Sequence, residues 1–120
     1  MSLYARVALR VLLALSMFVV AAQASEEIRT FDLAIRAGEL PPDMRVIRVQ
    51  QGDHVTLRWT TDRSVTIHLH GYDIEKKVPV GGEPTVMRFT ARATGRFPIE
   101  LHGADHGHEK ILAYLEVHPR

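Results

Sequence analysis

An all-β sandwich of about seven or eight short strands is the architecture this sequence predicts. Three observations carry that prediction. Apolar and polar residues alternate with a period of two along several segments. Turn residues punctuate the chain about every 8–12 positions, the spacing of short strands in a sandwich or barrel. No sustained helical period follows residue 24.

The elements follow in order. Ile28 to Ile35 alternates loosely and ends at Arg36-Ala37-Gly38. Leu40-Pro41-Pro42-Asp43 is a rigid turn, and Met44 to Val49 is a short β-rich run. Gln51-Gly52-Asp53 turns the chain, and Val55, Leu57 and Trp59 then alternate with Thr56, Arg58 and Thr60. After Asp62-Arg63-Ser64, Val65, Ile67 and Leu69 alternate with Thr66, His68 and His70. Gly71 interrupts the pattern, and Tyr72 to Val80 continues it up to the turn Gly81-Gly82-Glu83-Pro84. Met87 and Phe89 mark the next strand, and Phe97, Ile99 and Leu101 the one after the turn at Ala93-Thr94-Gly95. A His- and Gly-bearing loop spans His102 to Glu109, and Ile111 to Val117 forms the last strand.

Residues 1–24 are set apart. Arg6 and Arg10 precede an apolar run from Val11 to Ala22, and Ala22-Gln23-Ala24 is a small-x-small cleavage site. Basic region, apolar region and cleavage site stand in the order of a secretory signal peptide, and the apolar run is too short to span a bilayer. The expectation is a signal peptide over 1–24 and one domain over 25–120, in the periplasm or secreted. Those 96 residues carry 13 basic and 14 acidic side chains, a net charge of −1. They contain no basic stripe with interleaved aromatics, so nucleic acid is not an expected partner. They show no second apolar segment long enough to span a membrane.

The sequence contains no cysteine. Disulfides, thiolate metal ligands and a cysteine nucleophile are all excluded. Stability must come from the core, or from the core and a bound metal.

Seven histidines are present, and five fall in two clusters: His68-Leu69-His70, and His102, His106 and His108 within 102–108. Residues two apart on a strand share a face about 6–7 Å apart, so His68 and His70 can reach one ion together. The plain alternative is a pair of strand histidines facing water. In the second cluster Gly103 and Gly107 make the backbone pliable. Asp105 and Glu109 are candidate oxygen ligands or partners of a ligating imidazole. The alternative there is a solvated polar loop. His54 reads as a turn residue, His118 as a surface residue, and Glu100 and Glu109 most simply as solvated charges.

The segment Gly95-Arg96-Phe97-Pro98-Ile99-Glu100-Leu101, the loop after it, and Leu115-Glu116-Val117 resemble the C-terminal part of the cupredoxins. His70-Gly71-Tyr72 is similar to the segment that supplies that family's first histidine ligand, and Gly82 to Gly95 is similar to the strand before its cysteine loop. The resemblance covers nearly all of 25–120 and implies a Greek-key β-sandwich. It puts His70 on the first histidine position and His106, five residues after Leu101, on the second. It also puts Leu101 where the family has cysteine and Ile111 where it has methionine. A blue-copper centre needs the thiolate, so a blue-copper electron carrier is excluded.

The resemblance places the two histidine loops at one end of the sandwich, bringing His68, His70, His102, His106 and His108 together. Nitrogen and oxygen donors suit Cu(II) first and zinc second. The expectation is an exported metal-binding protein that carries, buffers or delivers copper, with a periplasmic protein as a further partner, and not an enzyme. One alternative is a metal-free cupredoxin-like interaction domain. A second is a small histidine-site metalloenzyme, disfavoured because no general base, nucleophile or phosphate loop is recognisable.

Overall fold

Strand alternation sorts side chains onto two faces, and here the apolar faces of two sheets close on one another. The computed structural model describes residue 21, residues 25–103 and residues 109–120. The expected signal peptide therefore lies, apart from Ala21, outside the described residues, as do His106 and His108.

Among the described residues there are eight strands: β1 (Ile28–Ile35), β2 (Val46–Gln50), β3 (His54–Thr61), β4 (Val65–Leu69), β5 (Ile74–Val78), β6 (Thr85–Thr90), β7 (Gly95–Gly103) and β8 (Glu109–His118). One sheet has the order β1-β3-β6 and the other β2-β8-β7-β4-β5. The chain crosses between sheets at β1–β2, β2–β3, β3–β4, β5–β6 and β6–β7, giving the Greek-key sandwich expected from the sequence. Two neighbouring pairs, β1 with β3 and β2 with β8, are parallel, because each is joined through the opposite sheet.

The inward positions are those the alternation marks. Val55, Leu57 and Trp59 of β3 face Val65, Ile67 and Leu69 of β4, and all are buried. Ile99 and Leu101 of β7 and Leu115 of β8 join them. Fully burying one such side chain contributes about 1.5–3 kcal/mol, which is how a chain without disulfides holds its sheets together.

Three boundaries differ from the sequence reading. Met44 ends a single 3-10 turn, Pro42–Met44, instead of opening a strand. The fixed φ of the two prolines favours that turn, which closes when Met44 N–H donates to Pro41 O at 2.9 Å. His54 is the first residue of β3 rather than a turn residue, and its N–H donates to Glu27 O. His102, Gly103 and Glu109 belong to β7 and β8, so the loop between those strands is shorter than the sequence suggests.

The turn from β4 to β5 depends on Gly71, which has φ +82°. A Cβ there would stand 2.2 Å from Phe97 Cδ1, so this position excludes any larger residue. Tyr72 follows. Its hydroxyl donates to Ala93 O at 3.0 Å and accepts from Ala93 N–H at 3.3 Å, and burial pushes the phenol above its ordinary pKa. At the other side of the molecule Lys110 donates to Glu39 at 3.0 Å, tying β8 to the β1–β2 connection. That hydrogen bond, with the Lys110 and Arg45 charges, holds Glu39 below the usual carboxylate range.

Asp53 is the one buried charge among the described residues, 1% exposed. Its carboxylate accepts the N–H of Gln50 at 2.9 Å and of Glu27 at 3.3 Å, and pairs with the Arg120 guanidinium. One side chain thus joins the segment before β1, the β2–β3 turn and the C-terminal residue. Removing one partner of a buried pair costs about 3–5 kcal/mol. Asp53→Ala should lose that much in chemical denaturation. A loss below about 1 kcal/mol, the scale of an exposed ion pair, would show that Asp53 is not the tie.

Candidate metal centre

The register between β4 and β7 builds the centre. The two strands are antiparallel, with His68 opposite Glu100 and Thr66 opposite His102. The ladder continues one residue past β4, where His70 N–H donates to Pro98 O at 3.0 Å. Ile67, Leu69, Ile99 and Leu101 take the inward places. Period-2 alternation then leaves His68, His70, Glu100 and His102 together on the outer face of the five-stranded sheet.

The side chains converge. The rings of His68 and His70 lie 4.1 Å apart between centroids, and those of His68 and His102 6.2 Å apart. Donor atoms of His68, Glu100 and His102 all lie within 4.8 Å of one another. Glu100 Oε2 is 2.9 Å from His70 Nε2 and 3.7 Å from His102 Nε2. The Glu100 side chain is only 20% exposed.

Two of these nitrogens lack hydrogen bonds. His70 Nε2 and His102 Nε2 are buried, and among the described residues neither has a partner of hydrogen-bond geometry. The 2.9 Å approach of His70 to Glu100 is thus close without being directed as a hydrogen bond. Buried ring nitrogens normally find a partner. Nitrogens aimed together beside a carboxylate, with none, fit the donor set of a cation.

Further carboxylates stand behind the imidazoles. Glu109 Oε1 is 3.6 Å from His102 Nδ1, and Asp73 Oδ1 is 3.6 Å from His68 Nε2. The Glu109 contact is on the ring nitrogen away from Glu100, the arrangement that orients a ligating imidazole.

The structure thus brings together three of the five candidate histidines, His68, His70 and His102. His106 and His108 lie outside the described residues. His54 and His118 stand elsewhere, His54 beside Glu26 at 3.4 Å and His118 beside Glu116 at 3.4 Å. Glu100 is the residue that sequence reasoning missed. It is not a solvated charge but the middle of the cluster. The signal for it was its place in the β7 alternation, between the inward Ile99 and Leu101 and two residues before His102 on the same face.

Leu101, the position matching the family's cysteine, is buried and faces the core. The position matching the methionine, Ile111, pairs with Glu100 and is 48% exposed. A register shift after Ile99 leaves Leu112 unpaired on β8, so both Leu112 and Ala113 face inward. The histidine cluster therefore occupies the sheet face opposite to the Leu101 side chain.

Solved structures share this architecture. The chain matches the multicopper oxidase mgLAC with a TM-score of 0.59 at 21% identity, covering 78% of this chain and 39% of that one. It matches the blue copper oxidase from Nitrosomonas europaea with a TM-score of 0.51 at 20% identity, covering 78% and 39%. It also matches a chain of a heme-copper terminal oxidase dimer with a TM-score of 0.57 at 14% identity, covering 95% and 88%. The fold is cupredoxin-like. The chain spans about two fifths of the length of these two copper oxidases. No protein-family model matches the sequence, and no curated protein does. The expectation that the protein is not an enzyme is corrected here: solved structures of this fold are oxidases, so an enzymatic role is not excluded. Among the described residues no helix is long and apolar enough to cross a membrane.

The opposed faces give a direct expectation. Leu101→Cys, loaded with Cu(II), should show no intense thiolate-to-copper band in the visible spectrum, because the new sulfur points to the core and the histidines point outward. Such a band would contradict the face assignment.

Proposed function

We propose that this chain binds a divalent metal ion, copper(II) in first place and zinc(II) second, on the outer face of its five-stranded sheet. His68, His70, His102 and Glu100 would hold the ion. The observation that carries this reading is the pair of buried nitrogens, His70 Nε2 and His102 Nε2, that lie beside the Glu100 carboxylate with no hydrogen bond among the described residues. Three imidazoles and one carboxylate suit a borderline divalent ion and lack the sulfur that a Cu(I) site recruits. Copper is put before zinc because copper(II) binds a given nitrogen–oxygen site more tightly. The copper oxidases of like fold support the same order. His106 and His108, which follow Gly103 in the sequence, stay in the proposed donor set.

In this reading the protein is exported, as the leader pattern in residues 1–24 supports, and handles copper outside the cytoplasm by transport, buffering or delivery to a partner protein. Imidazole and carboxylate ligands stay intact where thiols oxidise. The chain's own residues supply the ion's donors, and Glu109 stands behind the His102 ring.

Titration of tag-free, metal-stripped protein near neutral pH tests the reading. The expected result is one tightly held Cu(II) per chain at micromolar protein. His70→Ala and Glu100→Gln should each weaken binding by at least about tenfold, the scale of losing a ligand or its orienting partner. No binding at that concentration, or binding that neither substitution changes, overturns it.

A further inference from the structure

Strands β1 and β2 are edge strands, one in each sheet. A pocket of about 340 Å³ lies where they meet, lined by Glu27, Arg29, Arg48, Val49, Gln50 and His118. That volume is at the low end of small-molecule sites, about 300–1,000 Å³. Val49 has its side chain in the core, so the β2 main chain forms this wall. In a parallel pair, successive residues turn their backbone groups alternately toward the neighbour and away from it. Tyr114 N–H donates to Arg45 O, which sets Arg45, Ile47 and Val49 toward β8. Arg48 N–H therefore points out of the open edge of β2, at the pocket.

Two guanidinium groups flank that donor. Arg48 Nε is 3.3 Å from Glu116 Oε1, and Arg29 Nη1 is 3.6 Å from Glu27 Oε2. Neither is a directed hydrogen bond, whereas Arg96 donates one to Glu116 Oε2 at 3.4 Å. Glu116 is shared among Arg48, Arg96 and His118, so its one charge does not neutralise them all. Around the pocket three arginines face two carboxylates, Glu27 and Glu116. This local positive excess stands in a region, residues 25–120, whose net charge is −1. It is thus a property of the place and not of the whole surface.

The donors come from strands of two different sheets, with the Gln50 amide beside them. They reach the space from several sides. A tetrahedral oxyanion has acceptors on every side, while a carboxylate has them in one plane. Guanidinium forks together with a backbone N–H are a donor set for phosphate oxygens.

We propose that this seam binds a phosphoryl group, as the free ion or as a monoester on a larger molecule, held by the Arg29 and Arg48 guanidiniums and Arg48 N–H. Glu27 is the competitor. An anion at Arg29 displaces its carboxylate, which is exposed and turns into water. The site shares no residue with the metal centre and does not rest on that reading.

Sodium phosphate is the probe, titrated into metal-free protein near neutral pH and followed by amide NMR. Sodium chloride keeps the ionic strength constant. The Arg48 amide should shift saturably at millimolar concentration or below. Arg29→Gln and Arg48→Gln should each weaken binding about tenfold, the scale of one hydrogen bond to a charged group. Glu27→Gln should tighten it about threefold, the scale of one exposed charge. With the unaltered protein, phosphate should raise the thermal unfolding midpoint above that in chloride of equal ionic strength. Vesicles of phosphatidylcholine with and without phosphatidic acid separate the sources. Sedimentation with the acidic vesicles alone assigns a lipid headgroup, and phosphate binding without it assigns a soluble ion or ester. No saturable shift at Arg48, an equal response to chloride, or binding that neither arginine substitution weakens overturns the proposal. If copper binding fails while phosphate behaves as stated, the metal reading falls alone and the seam site stands.

Discussion

The antiparallel register of β4 against β7 is the constraint on which the functional face depends. Side chains alternate along both strands, so setting His68 opposite Glu100 decides every other placement. It sends Ile67, Leu69, Ile99 and Leu101 inward and the histidines outward. A slip of one residue would reverse all of them, exposing the core and burying the imidazoles. The apolar core and the polar cluster are therefore specified by one registration. The burial that stabilises the sheet pair also holds the donors in place. Gly71 secures the end of that ladder, because only a residue without Cβ lets Phe97 lie against the turn after His70.

The rest of the molecule supports that sheet without cysteine. Trp59, Leu57 and Val55 cover the inner side of β4, and the two parallel pairings lock β1 and β2 into opposite sheets. Asp53 closes the structure from the other side, using backbone donors and Arg120 to hold three separated segments. A rigid frame matters for a metal centre, since donors held in place lose little freedom on binding.

Much of the fold was legible in the sequence, because each strand buries one face and so alternates plainly: Val55-Leu57-Trp59 and Val65-Ile67-Leu69 are the clearest cases. Boundaries were less legible. The hydrogen bonds that extend β7 to Gly103 and start β8 at Glu109 run between strands, and side-chain pattern does not record them. The pairing of His68 with His70 was legible, since both lie on one strand. Glu100 was less so: it shares a strand face with His102, but His68 and His70 come from a strand some thirty positions earlier. Only the register reveals them. The family likeness matched His70 and Leu101 to two ligand positions, and strand alternation puts Leu101 on the inner face and His70 on the outer one. The fold carried over from the family.

Counting the imidazoles on the bound ion tests this account most directly. Pulsed EPR of the Cu(II)-loaded protein, with selectively nitrogen-15-labelled histidine, reads the remote ring nitrogens of coordinated imidazoles. Substituting alanine for His68, His70 and His102 one at a time should remove one imidazole signal each. Glu100→Ala should change the copper parameters without removing any. A spectrum dominated by backbone amide nitrogens, or one that none of the three histidine substitutions alters, would contradict the centre on the β4–β7 face.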